Sequence, residues 1–399
     1  MDSRLRSGRA QEKSEKMNEQ ANLPSPRFVA LDGWRGICAC LVALFHFKTN
    51  SHIYDLPFFR DAYLFVDFFF VLSGFVIFAN YADRLREGFG VRKFLWLRFG
   101  RLYPLHLATF LAFVGFDMLQ IVFPILGVGA HYKPFSAPGE TPGFMLSNLL
   151  LTQALGFHER LTFNGPSWSI SAEFYTYVLF SLALITLRKN IVWLVAFLLL
   201  AAPVFLAVFS SSYMDTTLRF GFIRCLFGFS AGAATWMIYK RYGQKIIDSM
   251  NIPFVWNAIE GALVLSVVIF VTLAGTGATT LFAPLLFGAT VWGFSFERGA
   301  ISRLLRSPFF IFLGLLSYSI YMNHMFISGK VFFGVIGIIE KFSSIELTSQ
   351  VGGQNRIGTT IWQGDMFCLV YLCVLIMVSY LTYKIIEEPG RLWFRKAAR

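Results

Sequence analysis

Arg35 and His46 are the pair of residues whose types and spacing most directly suggest chemistry. They lie eleven residues apart in the apolar segment LDGWRGICACLVALFHF, which is close to three helical turns, so both side chains point the same way. A guanidinium or an imidazole that met lipid would cost roughly a few kcal/mol. The spacing therefore predicts that both side chains face a protected interior, where they form a candidate functional site.

Three further titratable residues, Asp67, Glu173 and His324, are predicted to lie at the depth of His46. This follows if the first and ninth spans run outward from the cytoplasm and the second and fourth run inward. Four such groups from four spans would suit an intramembrane reaction or transport site. Structural pairing of the two carboxylates with arginines stays open, as does a helix-to-helix hydrogen bond for His324.

A second cluster is cationic. Arg98 and Arg101 share a helix face in WLRFGRLYPLH, at the expected cytoplasmic mouth of the third span. Together with Arg35 they are suited to binding phosphate groups, although arginines at a membrane boundary are equally explained by snorkelling. A ligand with phosphates at one end and a reactive group at the other could extend from this cluster to His46.

The elements that must position these residues are membrane-spanning helices. The chain is 56% hydrophobic and 15% charged, which is too apolar for an ordinary soluble domain. We therefore predict an all-α fold, a polytopic membrane helix bundle of about ten transmembrane helices in the lipid bilayer. The expected spans are 29–48, 62–80, 102–126, 166–187, 191–210, 219–239, 254–274, 278–296, 309–336 and 363–385.

The net charge of +12 is explained by where the basic residues lie. Most of the 35 lysines and arginines fall in alternate connections and in the two tails, as in cytoplasmic loops, so both termini are expected to be cytoplasmic. No nucleic acid partner is needed to explain them. Residues 1–27 are expected to be a disordered cytoplasmic tail, and residues 391–399 a basic cytoplasmic tail.

Two long connections, 127–165 and 337–361, are expected on the outer side. The first contains MLSNLLLTQAL, an apolar run that is too short to span and is typical of a re-entrant or interfacial helix. The second is polar and is expected to be flexible. The histidines outside the spans lack ligand spacing, so no metal is predicted.

Six stretches of the chain resemble signatures of the acyltransferase 3 family of integral-membrane acyltransferases. Arg35 to His46 fits R-x10-H, and Arg98 to Arg101 fits R/K-x-x-R. The others are FFFVLSGFVI, GPSWSISAEFYTY, SYSIYMNH and EEPGR, and together the six cover about 30–396. The resemblance implies an acyltransferase domain over 28–390 that moves an acyl group, usually acetyl, from cytoplasmic acyl-CoA to a hydroxyl of an extracytoplasmic carbohydrate, such as a surface polysaccharide, in a bacterial inner membrane.

Acyl transfer to an alcohol needs a base, and imidazole has a pKa near neutrality. His46 is the candidate general base, and the alternative that it carries the acyl group itself stays open. Asp67 or Glu173 would orient its ring or stabilise imidazolium.

The resemblance also implies binding roles. Coenzyme phosphates would be held by Arg35, Arg98 and Arg101. Residues expected to bind the acceptor are Trp168, Ser169, Asn323 and His324. Trp168 is as readily explained as an interfacial anchor.

Two other classes of protein compete with this interpretation. A proton-coupled secondary transporter or flippase could use the same buried charges, but such proteins often show inverted repeats and paired broken helices, and the sequence shows neither. A lipid-linked-sugar glycosyltransferase would favour acidic metal-binding clusters in a loop. The sequence therefore favours an acyltransferase.

Overall fold

The protein is a bundle of long helices. The computed structural model describes residues 27–120, 141–250 and 252–398, and in these ranges the regular structure is helical except for one short β-hairpin. The predicted all-α membrane helix bundle is confirmed. Residues 1–26, which make up nearly all of the predicted disordered tail, lie outside the described residues.

Each predicted span overlaps one of ten main helices of unequal length in the described ranges. They are α1 (Val29–His46), α2 (Phe65–Arg86), α3 (Val91–Leu119), α4 (Trp168–Leu187), α5 (Ile191–Phe209), α6 (Gly221–Ser249), α7 (Pro253–Ala274), α8 (Ala283–Phe294), α9 (Pro308–Met325) and α10 (Ile361–Thr382). Within the described ranges, seven helical segments are long and apolar enough to cross a membrane, and one of these contains both α4 and α5. Helix α8 has only 12 residues, and the 18 residues of α9 include several polar ones. The span predicted at 309–336 also contains the π-helical segment Phe326–Phe332 and the start of the helix Phe333–Phe342.

Helix α3 begins at Val91, well before the expected start of its span at 102. Gly88 has a φ of +105°, and Gly90 precedes the first helical residue, so the chain turns between α2 and α3. Arginine has a helix propensity similar to that of leucine. It lowers the hydropathy of the segment, however, so a search for apolar stretches places the start of this helix too late. Arg98 and Arg101 therefore lie within the helix and not at its mouth.

The chain after α10 continues through a π-helical turn, Tyr383–Glu387, into α11 (Glu388–Ala397). Pro389 does not end the helix because proline is tolerated in a first helical turn. Helix α11 packs against α3, where the indole nitrogen of Trp96 donates to the carbonyl oxygen of Phe394 at 3.1 Å. The boundary predicted at 391 therefore lies within a helix that packs against α3.

In the first long connection, the first five residues of the apolar run MLSNLLLTQAL, 145–149, belong to the helix Pro142–Leu149, and the rest of the run is in turns and bends, so the expected helix covers only part of it. Residues 121–140 of this connection lie outside the described residues.

The second long connection contains a β-hairpin, Thr348–Val351 paired with Gln354–Ile357, so the expectation of a flexible segment was wrong. Two consecutive glycines with positive φ allow the tight turn, a signal that was present in the sequence. The amide of Ile357 donates to the carbonyl of Lys48 at 3.1 Å, and the amide of Asn50 donates back at 2.8 Å. The hairpin therefore fixes the chain just after His46.

Glycines allow the helices around the centre to approach closely. A Cβ added to Gly36 of α1 would lie 2.6 Å from the backbone of Leu313 in α9. Between α2 and α6, a Cβ on Gly74 would overlap the carbonyl of Phe229, and one on Gly232 would overlap the carbonyl of Val71. Small residues at such positions let membrane helices pack backbone to backbone. These contacts set the distances between the side chains of the candidate site.

Candidate active site

Two histidines meet at the centre of the candidate site. His46 is the last residue of α1 and His324 is next to last in α9, and their ring centroids are 4.8 Å apart. Nδ1 of His46 lies 2.9 Å from the carbonyl oxygen of Val42, and Nδ1 of His324 lies 2.6 Å from that of Tyr321. A carbonyl only accepts, so each Nδ1 carries the proton and each Nε2 keeps its lone pair. Both rings are thus oriented as bases.

The two histidines differ in access. His324 is fully buried, and its Nε2 has no hydrogen-bond partner among the described residues. His46 lines a cavity of about 420 Å³, which we call the histidine cavity. Its walls also include Tyr63, Trp168 and Asp215. His46 is therefore the imidazole that a molecule in this cavity can reach.

Asp67 does not contact His46. Its two carboxylate oxygens accept hydrogen bonds from Nε and Nη2 of Arg224 at 2.9 and 2.8 Å, and the side chains are 0% and 2% exposed. Nη2 of Arg224 also donates to the carbonyl of Tyr63 at 3.2 Å. The expected contact of Asp67 with the imidazole is replaced by this ion pair, and the carbonyl of Val42 orients the ring instead.

Glu173 also lies away from His46. It accepts a hydrogen bond from the hydroxyl of Tyr177 and lines a different cavity. Helix α4 begins in the interior, since Pro166 and Ser167 in the 3₁₀ turn before it are buried, and Glu173 lies more than one turn further along the helix. The four titratable groups predicted to converge therefore separate into a histidine pair, an ion pair and a carboxylate beside arginines.

The second cavity, which we call the arginine cavity, has a volume of about 390 Å³ and is lined by Arg35, Arg98, Arg101 and Arg391, together with Glu173. Their guanidinium groups differ in how far they are neutralised. Arg35 lies 3.6 Å from a carboxylate oxygen of Asp32, and Arg101 lies 3.4 Å from one of Glu387. Arg98 instead donates to the hydroxyl of Tyr81 at 3.0 Å and stacks over that ring. Cations in this arrangement suit phosphate groups.

Two residues of this region were not assigned a binding role from the sequence. Arg391 lines the arginine cavity, and Glu387, which is 1% exposed, holds Arg101 and accepts a hydrogen bond from Ser319 at 2.7 Å. The stretch EEPGR carries both, but it was interpreted as the end of a helix. The available signal was a pair of glutamates directly before a proline, next to an apolar span.

Trp168 and Ser169 are the first two residues of α4, and each lines a different cavity. The ring of Trp168 lines the histidine cavity, and Arg224 lies over it at 5.4 Å. Ser169 lines the arginine cavity, and its hydroxyl is 2.8 Å from that of Tyr321. Trp168 is therefore placed to meet a molecule near His46, whereas Ser169 is occupied by protein contacts.

Asn323 and His324 serve the packing of α9 in this structure. The amide of Asn323 donates to the hydroxyl of Thr382 at 2.8 Å, which ties α9 to α10. Neither residue is among those lining the two cavities. Neither side chain therefore faces the two cavities, and the ring of His324 lies against that of His46.

Comparison with known proteins adds independent information. A family model described as an acyltransferase domain, of the acyltransferase 3 type, matches residues 28–384. Protein 2 in the picA locus of Rhizobium radiobacter is 31% identical over 38% of this chain and 78% of its own length. Acyltransferase MdmB of Streptomyces mycarofaciens is 36% identical over 31% of this chain and 29% of its own. BcsY of Komagataeibacter xylinus, named as a proposed membrane-bound transacylase, is 23% identical over 92% of this chain and 84% of its own. No solved structure matches the chain.

Proposed function

The chain belongs to the acyltransferase 3 family, and from this premise we propose that it is an integral-membrane O-acyltransferase with acyl-coenzyme A as donor and an extracytoplasmic carbohydrate as acceptor. Two relatives carry acyltransferase or transacylase in their names, which supports the class of reaction. The observation that carries the proposal is the placement of an accessible imidazole in one cavity next to a cavity lined by four arginines.

His46 acts as the general base. Its Nε2 accepts the proton of the acceptor hydroxyl, the oxygen forms a bond to the carbonyl carbon of the thioester, and the bond from that carbon to sulfur breaks. The coenzyme leaves as a thiolate and takes up the proton from the imidazolium. The hydrogen bond to Val42 keeps the required tautomer, because it holds the other ring proton on Nδ1.

The arginine cavity holds the phosphates of the donor. Arg98 and Arg391 contribute most to this binding, because no carboxylate ion pair is present for either among the described residues, while Arg35 and Arg101 are each partly neutralised. Burial of some of these groups strengthens their attraction for phosphate relative to the same charges in water. Glu173 opposes them and limits the net charge of the cavity.

The acceptor occupies the histidine cavity. The aromatic rings of Tyr63 and Trp168 present apolar faces, and the carboxylate of Asp215 can accept hydrogen bonds from sugar hydroxyls. A carbohydrate offers both kinds of surface, since its ring carbons are apolar on one face and its hydroxyls are donors.

The transporter alternative has less support. A proton path needs carboxylates that can exchange protons with water, whereas Asp67 is closed off by Arg224, and both side chains are buried. The family to which the chain belongs also favours transfer over transport.

Substitution of His46 tests the proposal. In a strain that lacks the gene, complementation with wild type should restore the acyl mass on surface polysaccharide, as measured by mass spectrometry. His46→Ala should lower the rate by about 100-fold to 10,000-fold, the usual contribution of a positioned base.

His52→Ala is the matched control, because His52 is exposed in an outer connection and pairs with Asp365. It should restore acylation fully. Acylation by His46→Ala at the wild-type rate, with both proteins present at equal amounts, would refute the role of His46.

A further inference from the structure

The histidine cavity and the arginine cavity share a wall. Val66 of α2 and Tyr321 of α9 line both cavities, and these side chains are 7% and 5% exposed. Nothing in the sequence distinguished Tyr321 from its neighbours in SYSIYMNH. Because Tyr321 and Val66 line both cavities, these two side chains lie between the two proposed substrates.

The ring of Tyr321 is held in place by the start of α4. Its hydroxyl lies 2.8 Å from the hydroxyl of Ser169 and 3.0 Å from the carbonyl oxygen of Pro166, and Ser169 also reaches that carbonyl at 3.0 Å. The hydroxyls of Tyr321 and Ser169 have one proton each for these three contacts. Whichever contacts are made, at least one hydrogen bond joins Tyr321 to Ser169 or to the carbonyl of Pro166. On its other side, the ring of Phe69 packs edge-on at 5.9 Å.

The reacting carbon has to lie at this wall. If the proposed function holds, the donor approaches from the arginine cavity and the hydroxyl activated by His46 approaches from the histidine cavity. The ring of Tyr321 is 5.6 Å from that of His324, which is 4.8 Å from that of His46. The ring of His324 is thus close to both Tyr321 of the wall and His46, the proposed base.

We infer that Tyr321, together with Val66, sets the length of the acyl group that this protein transfers. The inference rests on the proposed function and adds a specificity for the length of the acyl group. An acyl group whose carbonyl carbon reaches His46 must place its remaining carbons against these two side chains, which are packed and nearly without free surface. Short acyl groups, acetyl above all, fit this space, and each further methylene meets the ring.

Two substitutions enlarge the space at the shared wall. Tyr321→Ala removes the ring, and Val66→Ala removes two methyl groups with little risk to folding. Both should shift the preference toward longer acyl groups, and the butyryl-to-acetyl ratio should rise by about tenfold or more, since one methylene in a hydrophobic pocket changes selectivity by about 10-fold to 200-fold.

Two further variants separate acyl length from general damage. Tyr321→Phe keeps the ring but removes the hydroxyl that bonds to Ser169 and Pro166, so the length preference should shift less than in Tyr321→Ala. Tyr318→Ala enlarges the arginine cavity one helical turn away, where Tyr318 does not line the histidine cavity, and should leave the preference unchanged.

The measurement uses membrane vesicles from the host that lacks its own copy of the gene, each preparation carrying one variant. Radiolabelled acetyl-, propionyl-, butyryl- and hexanoyl-coenzyme A are supplied separately, and label is counted in the carbohydrate fraction.

The outcomes distinguish failure of the proposed function from failure of the inference about acyl length. If wild type transfers no label from any donor, the proposed function itself fails. If wild type transfers acetyl but the ratios are unchanged in Tyr321→Ala and Val66→Ala, only the inference fails. An equal shift in Tyr318→Ala or Tyr321→Phe also overturns it, because ring volume at the wall would then not be the cause.

Discussion

At the scale of single residues, the buried pair of Asp67 and Arg224 has the clearest energetic consequence. Both charges are removed from water, and the guanidinium satisfies both carboxylate oxygens and the carbonyl of Tyr63. Such a pair adds little net stability over apolar side chains, but loss of one partner leaves an uncompensated buried charge. We therefore assign Asp67 a structural role that holds α2 against α6.

Asp67→Ala should lower the free energy of unfolding by about 3–5 kcal/mol. The reason is that Arg224 stays buried without its partner, and the measurement is the thermal unfolding midpoint in detergent. Asp83→Ala is the matched control: Asp83 pairs with Lys240 and Arg86 at the surface, where an ion pair contributes about 0–1 kcal/mol. An unchanged midpoint together with lost acyl transfer in Asp67→Ala would instead make Asp67 catalytic.

The residues of the site could be found from the sequence, but their partners could not. The cost of burying charge identified Arg35, His46 and Asp67 as residues that need a protected place. The partner of Asp67 lies 157 residues further along the chain, and no local pattern connects the two. The partner of His46 is a backbone carbonyl, which any residue at position 42 would supply. Pairing depends on the tertiary contacts between helices.

At the scale of elements, the approach of α1 to α9 positions the two imidazoles. Gly36 makes this approach possible, since any side chain there would meet the backbone of Leu313 and Gly314. The helices themselves follow from hydropathy, which is why every predicted span contains one. The start of α3 and the hairpin at 348–357 do not follow, because charged helical turns and short strands carry little apolar signal.

Gly36→Ala should reduce acyl transfer by about 100-fold, because a displacement of about 1 Å in a catalytic arrangement has effects of this size. The new Cβ would lie 2.6 Å from backbone atoms of α9, so α1 and α9 must move apart. This movement increases the distance between His46 and His324. The measurement is the rate of label transfer from acetyl-coenzyme A per folded protein.

Gly261→Ala serves as the control for this substitution. Gly261 lies inside α7 with no atom within 4 Å of an added Cβ, and alanine favours helix over glycine by about 1 kcal/mol. We expect full activity and an equal or higher unfolding midpoint. Full activity of Gly36→Ala as well would show that the spacing of α1 and α9 does not limit the reaction.

At the scale of the whole molecule, two cavities share the wall residues Val66 and Tyr321, and in our proposal they serve opposite sides of a membrane. The basic residues concentrated in alternate connections place the arginine cavity toward the cytoplasm in our proposal, and the histidine cavity toward the outside. Composition and charge placement suffice to predict a membrane helix bundle. They do not predict the two cavities, since a cavity is the space left by side chains from several helices.

The most direct test of the account follows the acyl group across a sealed membrane. Inside-out vesicles receive labelled acetyl-coenzyme A, which does not cross the bilayer, and the carbohydrate formed is then treated with an added esterase before and after detergent. We predict label on carbohydrate that is protected until detergent is added, and none with His46→Ala. Label that the esterase removes without detergent, or transfer that persists in His46→Ala, would contradict the account.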